Sequence, residues 1–259
     1  MPVRTLVFFH AHPDDEAIFT GGTIWQLARR GWRIVLVMAT GGEWGEATEG
    51  FGHADLAAVR RQETTDAAAV LGIARVEFLG YHDSGLSGDP SHSCDNSLAW
   101  ADEAEVATRL AGVLREEEAE ALVTYDPEGI YGHPDHVVVH RAGRAAAEAA
   151  GVPIVYEATV DREYLHFVET HLVVKAKRAT GELGLAATHL GMATVEITTA
   201  IDVRASLYVK RQAMAAHASQ IPETASVLHL PPESFAAVYG YEWYTRRGPR
   251  GPLEDLPAT

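Results

Sequence analysis

Residues 5–16 read TLVFFHAHPDDE. Thr5 to His10 is a short run of apolar and aromatic side chains, the pattern of a buried strand. It passes directly into Ala11-His12-Pro13-Asp14-Asp15-Glu16. Proline there fixes φ and suits the first position of a helix, and acids suit a helix's first turn. The same order of signals recurs in the middle of the chain. Glu120 to Tyr125 is strand-like, and Gly132-His133-Pro134-Asp135-His136 follows it just before another helical pattern.

Working outward, strand-like runs alternate with helix-like ones through the first 160 residues. The strands are expected at Thr5–His10, Arg33–Ala39, Arg75–Leu79, Glu120–Tyr125 and Pro153–Ala158. The helices are expected at Asp14–Arg30, Ala54–Leu71, Ser97–Glu118 and His136–Ala150. Gly31, Gly72 and Gly151 sit where C-terminal caps belong. Apolar strands separated by such helices predict an α/β fold, a Rossmann-like, doubly wound and mostly parallel sheet. In the commonest such topology the first and fourth strands are neighbours, and ligands bind in the crevice between them. Both His-Pro-Asp segments would then face one cleft.

Past residue 160 the pattern weakens. Asp161–Lys177 reads as helix, Gly181–Thr194 as loop, Val195–Val203 as strand and Ala205–Ser219 as helix. The proline-bearing tail (Pro249, Pro252, Pro257) reads as a surface extension. The expectation is one domain over 1–259, with a core of about 3–220 and C-terminal embellishments over 221–259.

Composition limits the partners. The 259 residues are 47% hydrophobic and 22% charged, with a formal net charge of −15. That balance argues against a nucleic-acid partner. The one cysteine, Cys94, can form no intramolecular disulfide. The apolar N-terminal stretch is too short to span a bilayer, so no membrane partner and a cytoplasmic location are expected. A homo-oligomer is compatible with the sequence.

Three histidines and three aspartates at strand-to-helix junctions can hold a divalent cation with an open position and a base beside it. His12, Asp14 and Asp15 must project around one point. Two of them can bind the ion and the third can sit beside the water it activates. His133 and His136, three apart at a helix start, share a face. One can bind the metal while the other points at substrate. Two histidines and one carboxylate suit Zn²⁺, and also Fe²⁺, Co²⁺ or Ni²⁺.

These residues resemble the PIG-L/LmbE-like family of zinc-dependent de-N-acetylases, which includes N-acetylglucosaminyl-inositol and -malate deacetylases and mycothiol-conjugate amidase. The resemblance extends through Arg60-Arg61-Gln62-Glu63, Leu71-Gly72 and Gly80-Tyr81-His82-Asp83-Ser84-Gly85, and reappears in Lys210–Gln220. It implies His12, Asp15 and His136 as metal ligands and Asp14 as the general base. It implies His133 as oxyanion support or general acid, Asp135 as the residue holding His133, and Tyr131 as a lid that polarises the carbonyl. Arg60 and Asp83 resemble the family's sugar contacts. The implied reaction is removal of acetyl from an N-acetylglucosaminyl conjugate, a small-molecule partner.

Other readings compete. An amidase acting on a larger amide, such as a mycothiol S-conjugate, would need the same groups. A non-catalytic metal- or sugar-binding module would not need a spare Asp14. An oxidoreductase would need a G-x-G-x-x-G turn, which Gly21-Gly22 does not supply; close helix–sheet packing suits that pair better. Glu43, on the loop after the second strand, is a further substrate-binding candidate, with a solvated loop acid as the alternative. His217 with Ser219 and Gln220 matches a family feature near the pocket, or a surface helix end. His53, His92 and Cys94 are too irregularly spaced for a second metal site and read as loop residues.

Overall fold

β1 (Thr5–His10) is buried at every position and lies between β2 (Arg33–Thr40) and β4 (Ala121–Tyr125), parallel to both. Phe8 faces Leu36 on one side and Val123 on the other. The two strands that lead into the His-Pro-Asp segments are therefore hydrogen-bonded neighbours, as the topology predicts. The computed structural model describes residues 4–45, 53–85, 96–168 and 190–257.

Among the described residues the sheet is completed by β3 (Arg75–Tyr81), β5 (Ile154–Thr159), β6 (Thr199–Asp202) and β7 (Tyr241–Arg247), in the order β3-β2-β1-β4-β5-β7-β6. The first five run parallel. β7 is antiparallel to β5, and β6 is antiparallel to β7. The chain winds outward from β1 through β2 to β3, then returns to β4. The β1/β4 border is thus the switch point, with a crevice at the strands' C-terminal ends.

Alternate side chains of β1 enter two cores. Leu6 and Phe8 meet α1 (Gly21–Arg29), α2 (His53–Leu71), α7 (Leu207–Ala216) and α8 (Pro232–Tyr239). Val7 and Phe9 meet α3 (Glu103–Glu116) and α5 (Pro134–Ala150) on the other face. Burying each of these aromatic side chains is worth roughly 2–3 kcal/mol. Among the described residues, no helix is long and apolar enough to cross a membrane.

Several expectations need correction. No continuous helix covers 14–30: Asp14 adopts φ 103°, and a π-helical turn (Glu16–Thr20) precedes α1. Pro13 and Asp14 therefore lie ahead of the helix, not in its first turn. The expected helix 97–118 is split, because the Asp102 side chain caps α3 by accepting from Ala104 N (2.9 Å). The helix expected over 161–177 is α6 (Arg162–Phe167) within the described residues, and the rest of that range falls outside them. So do His92, Cys94 and most of the 181–194 loop. Val195 is exposed on a 3₁₀ turn, and strand β6 is only Thr199–Asp202.

The largest correction is the tail. Tyr241–Arg247 is an interior strand, and Leu253 and Leu256 are buried. Trp243 and Tyr244 enter opposite cores. Residues of 221–259, expected as embellishments outside the core, thus help close both layers. Gly22 fulfils its packing role: an added Cβ would stand 2.4 Å from Cβ of Val203.

Candidate metal and catalytic site

At the C-terminal end of β1, Nδ1 of His12, Oδ2 of Asp15 and Nε2 of His136 converge. His12 to Asp15 is 3.5 Å, Asp15 to His136 is 3.4 Å, and His136 to His12 is 3.3 Å. All three side chains are buried. A tetrahedral ion bound at 2.0–2.1 Å needs ligand separations of about 3.4 Å. The donor set and its spacing fit a divalent cation with one open position.

The loop after β4 explains how His136 arrives. Asp126 accepts from the backbone N–H groups of Glu128 and Ile130 (3.0 and 2.9 Å). This folds Gly129 and Ile130 into left-handed conformations, φ 63° and 64°. Only glycine fits at 129, since a Cβ would lie 2.6 Å from His136 Cβ. Ile130, β-branched, sits there under strain beside Tyr131. His133 then caps α5, Pro134 opens it, and His136 falls one turn in.

Asp135 departs from its expected task. Its carboxylate Oδ2 accepts from His12 Nε2 (3.1 Å) and Ser84 N (2.9 Å); its own backbone N–H is what reaches His133 Nδ1 (3.2 Å). Asp135 thus orients the His12 imidazole, the arrangement a carboxylate makes behind a metal-binding histidine. The backbone contact makes Nδ1 of His133 an acceptor, so its neutral ring carries the proton on Nε2. Burial, then the neighbouring His12 and His136, push His133 down to about 2. It is a neutral donor.

The electrostatics separate the two aspartates. Burial works against charge on Asp15, but His136 and His12 hold its carboxyl well below the usual range. Burial pushes Asp14 up to about 7, against the pull of Arg60, with Asp15 adding to the rise. Asp14 is the more accessible of the two. On His12, burial is outweighed by Asp83, Asp135 and Asp15, which hold the imidazole well above its usual value. Tyr131 reaches toward His136, 3.5 Å from its Nε2.

The expected substrate contacts are all close by, but differently engaged. Arg60 is 3% exposed. It donates to the carbonyls of Gly42 (2.7 Å) and Pro13 and lies 3.4 Å from Asp14 Oδ2. Arg61 instead stacks over Phe78. Arg60 is thus engaged by these carbonyls and borders the Asp14 carboxylate. Asp83 lies 3.4 Å from His12 Nε2 and accepts from Gly85 N (2.8 Å). Glu43 accepts from Asp83 N (2.9 Å) and lies 3.6 Å from His82.

Apart from its polar tip, nothing in the sequence marks Tyr125 as part of the site, because it simply closes a strand-like run. Its hydroxyl donates to Asp15 Oδ2 (2.8 Å), and its ring stacks on His136 at 4.2 Å. Being polar-tipped at a strand's C-terminal end was its only signal. His217 is fully buried against Glu16, which rules out a surface helix end.

A family model described as PIG-L, GlcNAc-PI de-N-acetylase, matches residues 7–147. The 1D-myo-inositol 2-acetamido-2-deoxy-alpha-D-glucopyranoside deacetylase of Acidothermus cellulolyticus is 35% identical over 277 residues, covering 98% of this chain and 92% of the relative. The chain belongs to the PIG-L family. The fold of this PIG-L chain is also that of the N,N'-diacetylchitobiose deacetylase from Pyrococcus horikoshii, with a TM-score of 0.62 at 22% identity, over 95% of this chain and 84% of that one. A 4-carboxy-2-hydroxymuconate hydratase from Pseudomonas putida is equally similar in fold, with a TM-score of 0.63 at 19% identity, over 96% and 98%. Fold alone therefore does not choose the reaction; the side chains of the site must.

Proposed function

We propose that this chain is a metal-dependent N-deacetylase that hydrolyses the acetamide of an N-acetylglucosaminyl conjugate to acetate and a free amine. The observation that carries the reading is the triangle of His12, Asp15 and His136 donor atoms with 3.3–3.5 Å sides, next in sequence to a carboxyl raised to about 7. The named activity of the 35%-identical relative makes an N-acetylglucosaminyl-inositol the first substrate to test. Zn²⁺ is the proposed cation, and Fe²⁺, Co²⁺ or Ni²⁺ suits the same donors.

A cation held there would act as a Lewis acid, polarising the amide and lowering the pKa of water from about 16 to about 7. The chain supplies the rest. Asp14 takes the proton of the attacking water, a task suited to a pKa near the working pH. Nε2–H of His133 donates to the carbonyl oxygen as it gains charge. Tyr131 closes the site beside that oxygen. Asp135 and Tyr125 hold His12 and Asp15. We assign Arg60 to Asp14 and keep Glu43 and Asp83 as the wall facing the sugar.

Acetate release from N-acetylglucosaminyl-inositol and related conjugates tests the reading. The Zn²⁺-loaded chain should turn over, and Asp14→Asn should lose about 10³-fold in kcat with metal content unchanged. No release from any conjugate, or loss of metal in Asp14→Asn, would contradict it.

A further inference from the structure

Asp14 occupies a backbone conformation that L-residues rarely adopt, φ 103°. Something must hold it there. Its N–H donates to Glu16 Oε2 (3.1 Å), and its carbonyl accepts from Ala17 N and Ile18 N (3.0 Å each). The other oxygen of Glu16 meets Nε2 of His217 at 2.6 Å. Both Glu16 and His217 are 0% exposed. Nδ1 of His217 has no hydrogen-bond partner among the described residues, so the imidazole makes its one such contact with Glu16.

His217 caps the C-terminus of α7, outside the stretch 7–147 that the family model matches. The segment after it is itself fixed. Ile221 N donates to the His217 carbonyl (2.7 Å), and N and Oγ of Ser219 both donate to Glu63 on α2 (2.7 Å each). Arg60, which borders the Asp14 carboxylate, lies on the same helix. A buried acid–imidazole pair is a poor way to gain stability compared with apolar packing. Its geometric effect is specific, because it places an acceptor under the Asp14 amide.

We propose that Glu16 and His217 are positioning residues, a buried brace that keeps the Asp14 backbone left-handed and so aims its carboxylate at the reacting water. The proposal rests on the reading of Asp14 as general base. Without His217, Glu16 loses its partner and the Asp14 amide loses a fixed acceptor. The aspartate then relaxes to negative φ, and its carboxylate swings away from the site.

The test pairs kinetics with crystal structures of His217→Ala, His217→Asn and His217→Gln. Alanine and asparagine cannot reach Glu16; the glutamine amide can donate to it. Alanine and asparagine should lower kcat by about 10- to 100-fold. KM should stay within about twofold, the bound metal should remain at the wild-type ratio, and Asp14 should show negative φ. Glutamine should restore most of kcat and the left-handed φ. Should the alanine variant not fold, the asparagine variant carries the same expectation. Wild-type kcat without the brace, Asp14 still left-handed in the asparagine variant, no rescue by glutamine, or metal loss in proportion to activity would each overturn the proposal. If the wild-type chain releases no acetate, the deacetylase reading falls, while the Asp14 φ in the variants still decides whether the brace exists.

Discussion

Tyr125 shows how much of the site depends on residues that touch no substrate. Its hydroxyl donates to Asp15, accepts from Ala11 N (3.1 Å) and contacts His10 Nδ1 (2.9 Å), while its ring supports His136. Two of the three proposed ligands are steadied from one position. Tyr125→Phe keeps the stacking and removes the hydroxyl. We expect metal affinity to fall about 10- to 100-fold, as for other lost outer-shell partners, read by chelator competition. Stability should fall by about 1–3 kcal/mol because Ala11 N–H loses its buried acceptor, read by urea denaturation. Unchanged metal affinity would remove Tyr125 from the site. The proposed site was legible because His-Pro-Asp occurs twice, at the ends of two strands expected to be neighbours; the choice of Asp15 over Asp14 as ligand came from the family resemblance. Tyr125 was not legible, because a tyrosine closing a strand looks the same whether its hydroxyl meets a ligand or water. Asp135 touches His133 as expected, but through its backbone N–H, while its carboxylate meets His12; sequence spacing says nothing about which imidazole a carboxylate meets.

At the scale of elements, α1 and α3 are fixed by contacts that the strand and helix patterns did not reveal. Gly22 brings α1 against Val203, and its N–H with that of Thr23 is capped by the buried Glu242 (2.8 Å each). Gly22→Ala should cost about 1–3 kcal/mol through overpacking, measured by urea denaturation; a neutral result would show that Val203 yields freely. Glu117 ends α3 and joins it to β2 and β3, with Arg33 at 2.7 and 3.1 Å and Arg75 at 2.9 Å. These arginines, Arg33 first, hold its carboxyl below the ordinary value of 4.5. The unfolded chain therefore binds more protons in acid. The stabilisation is present above about pH 4.5 and is lost as pH falls through the folded-state value. Glu117→Gln should lower stability by about 1 kcal/mol at pH 7, and the difference from wild type should shrink at pH 3. An equal difference at both pH values would contradict this. The π-helical turn after Asp15 was also invisible in the sequence, because acids after proline signal an ordinary helix start.

For the whole molecule, the parallel half of the sheet and its switch point followed from the alternation of runs, since β1, β2, β4 and β5 are buried along almost their whole length and leave an apolar record. The antiparallel half did not. Tyr241-Glu242-Trp243-Tyr244 mixes a buried acid with aromatics, and Glu242 is there to pair with Lys210 (2.5 Å) and cap α1. A charged residue serving a distant helix disguised an interior strand. A chain truncated after Gln220, where the core was expected to end, should therefore lose cooperative unfolding by far-UV circular dichroism. It would lack Trp243, Tyr244, Leu253 and Leu256, all buried. A cooperative transition in that fragment would contradict the role given to β7.

The central claim is that the two His-Pro-Asp segments jointly hold one cation on the Nδ1 side of His12. Two competing groupings exist among the described residues: His12, His133 and His136 offer ligand atoms within 4.8 Å of one another, and so do His12, Asp83, His133 and Asp135. Anomalous scattering from crystals of the Zn²⁺-loaded chain separates them. The account predicts one peak about 2.0–2.2 Å from His12 Nδ1, Asp15 Oδ2 and His136 Nε2. A peak on the Nε2 side of His12, among Asp83, His133 and Asp135, would contradict it.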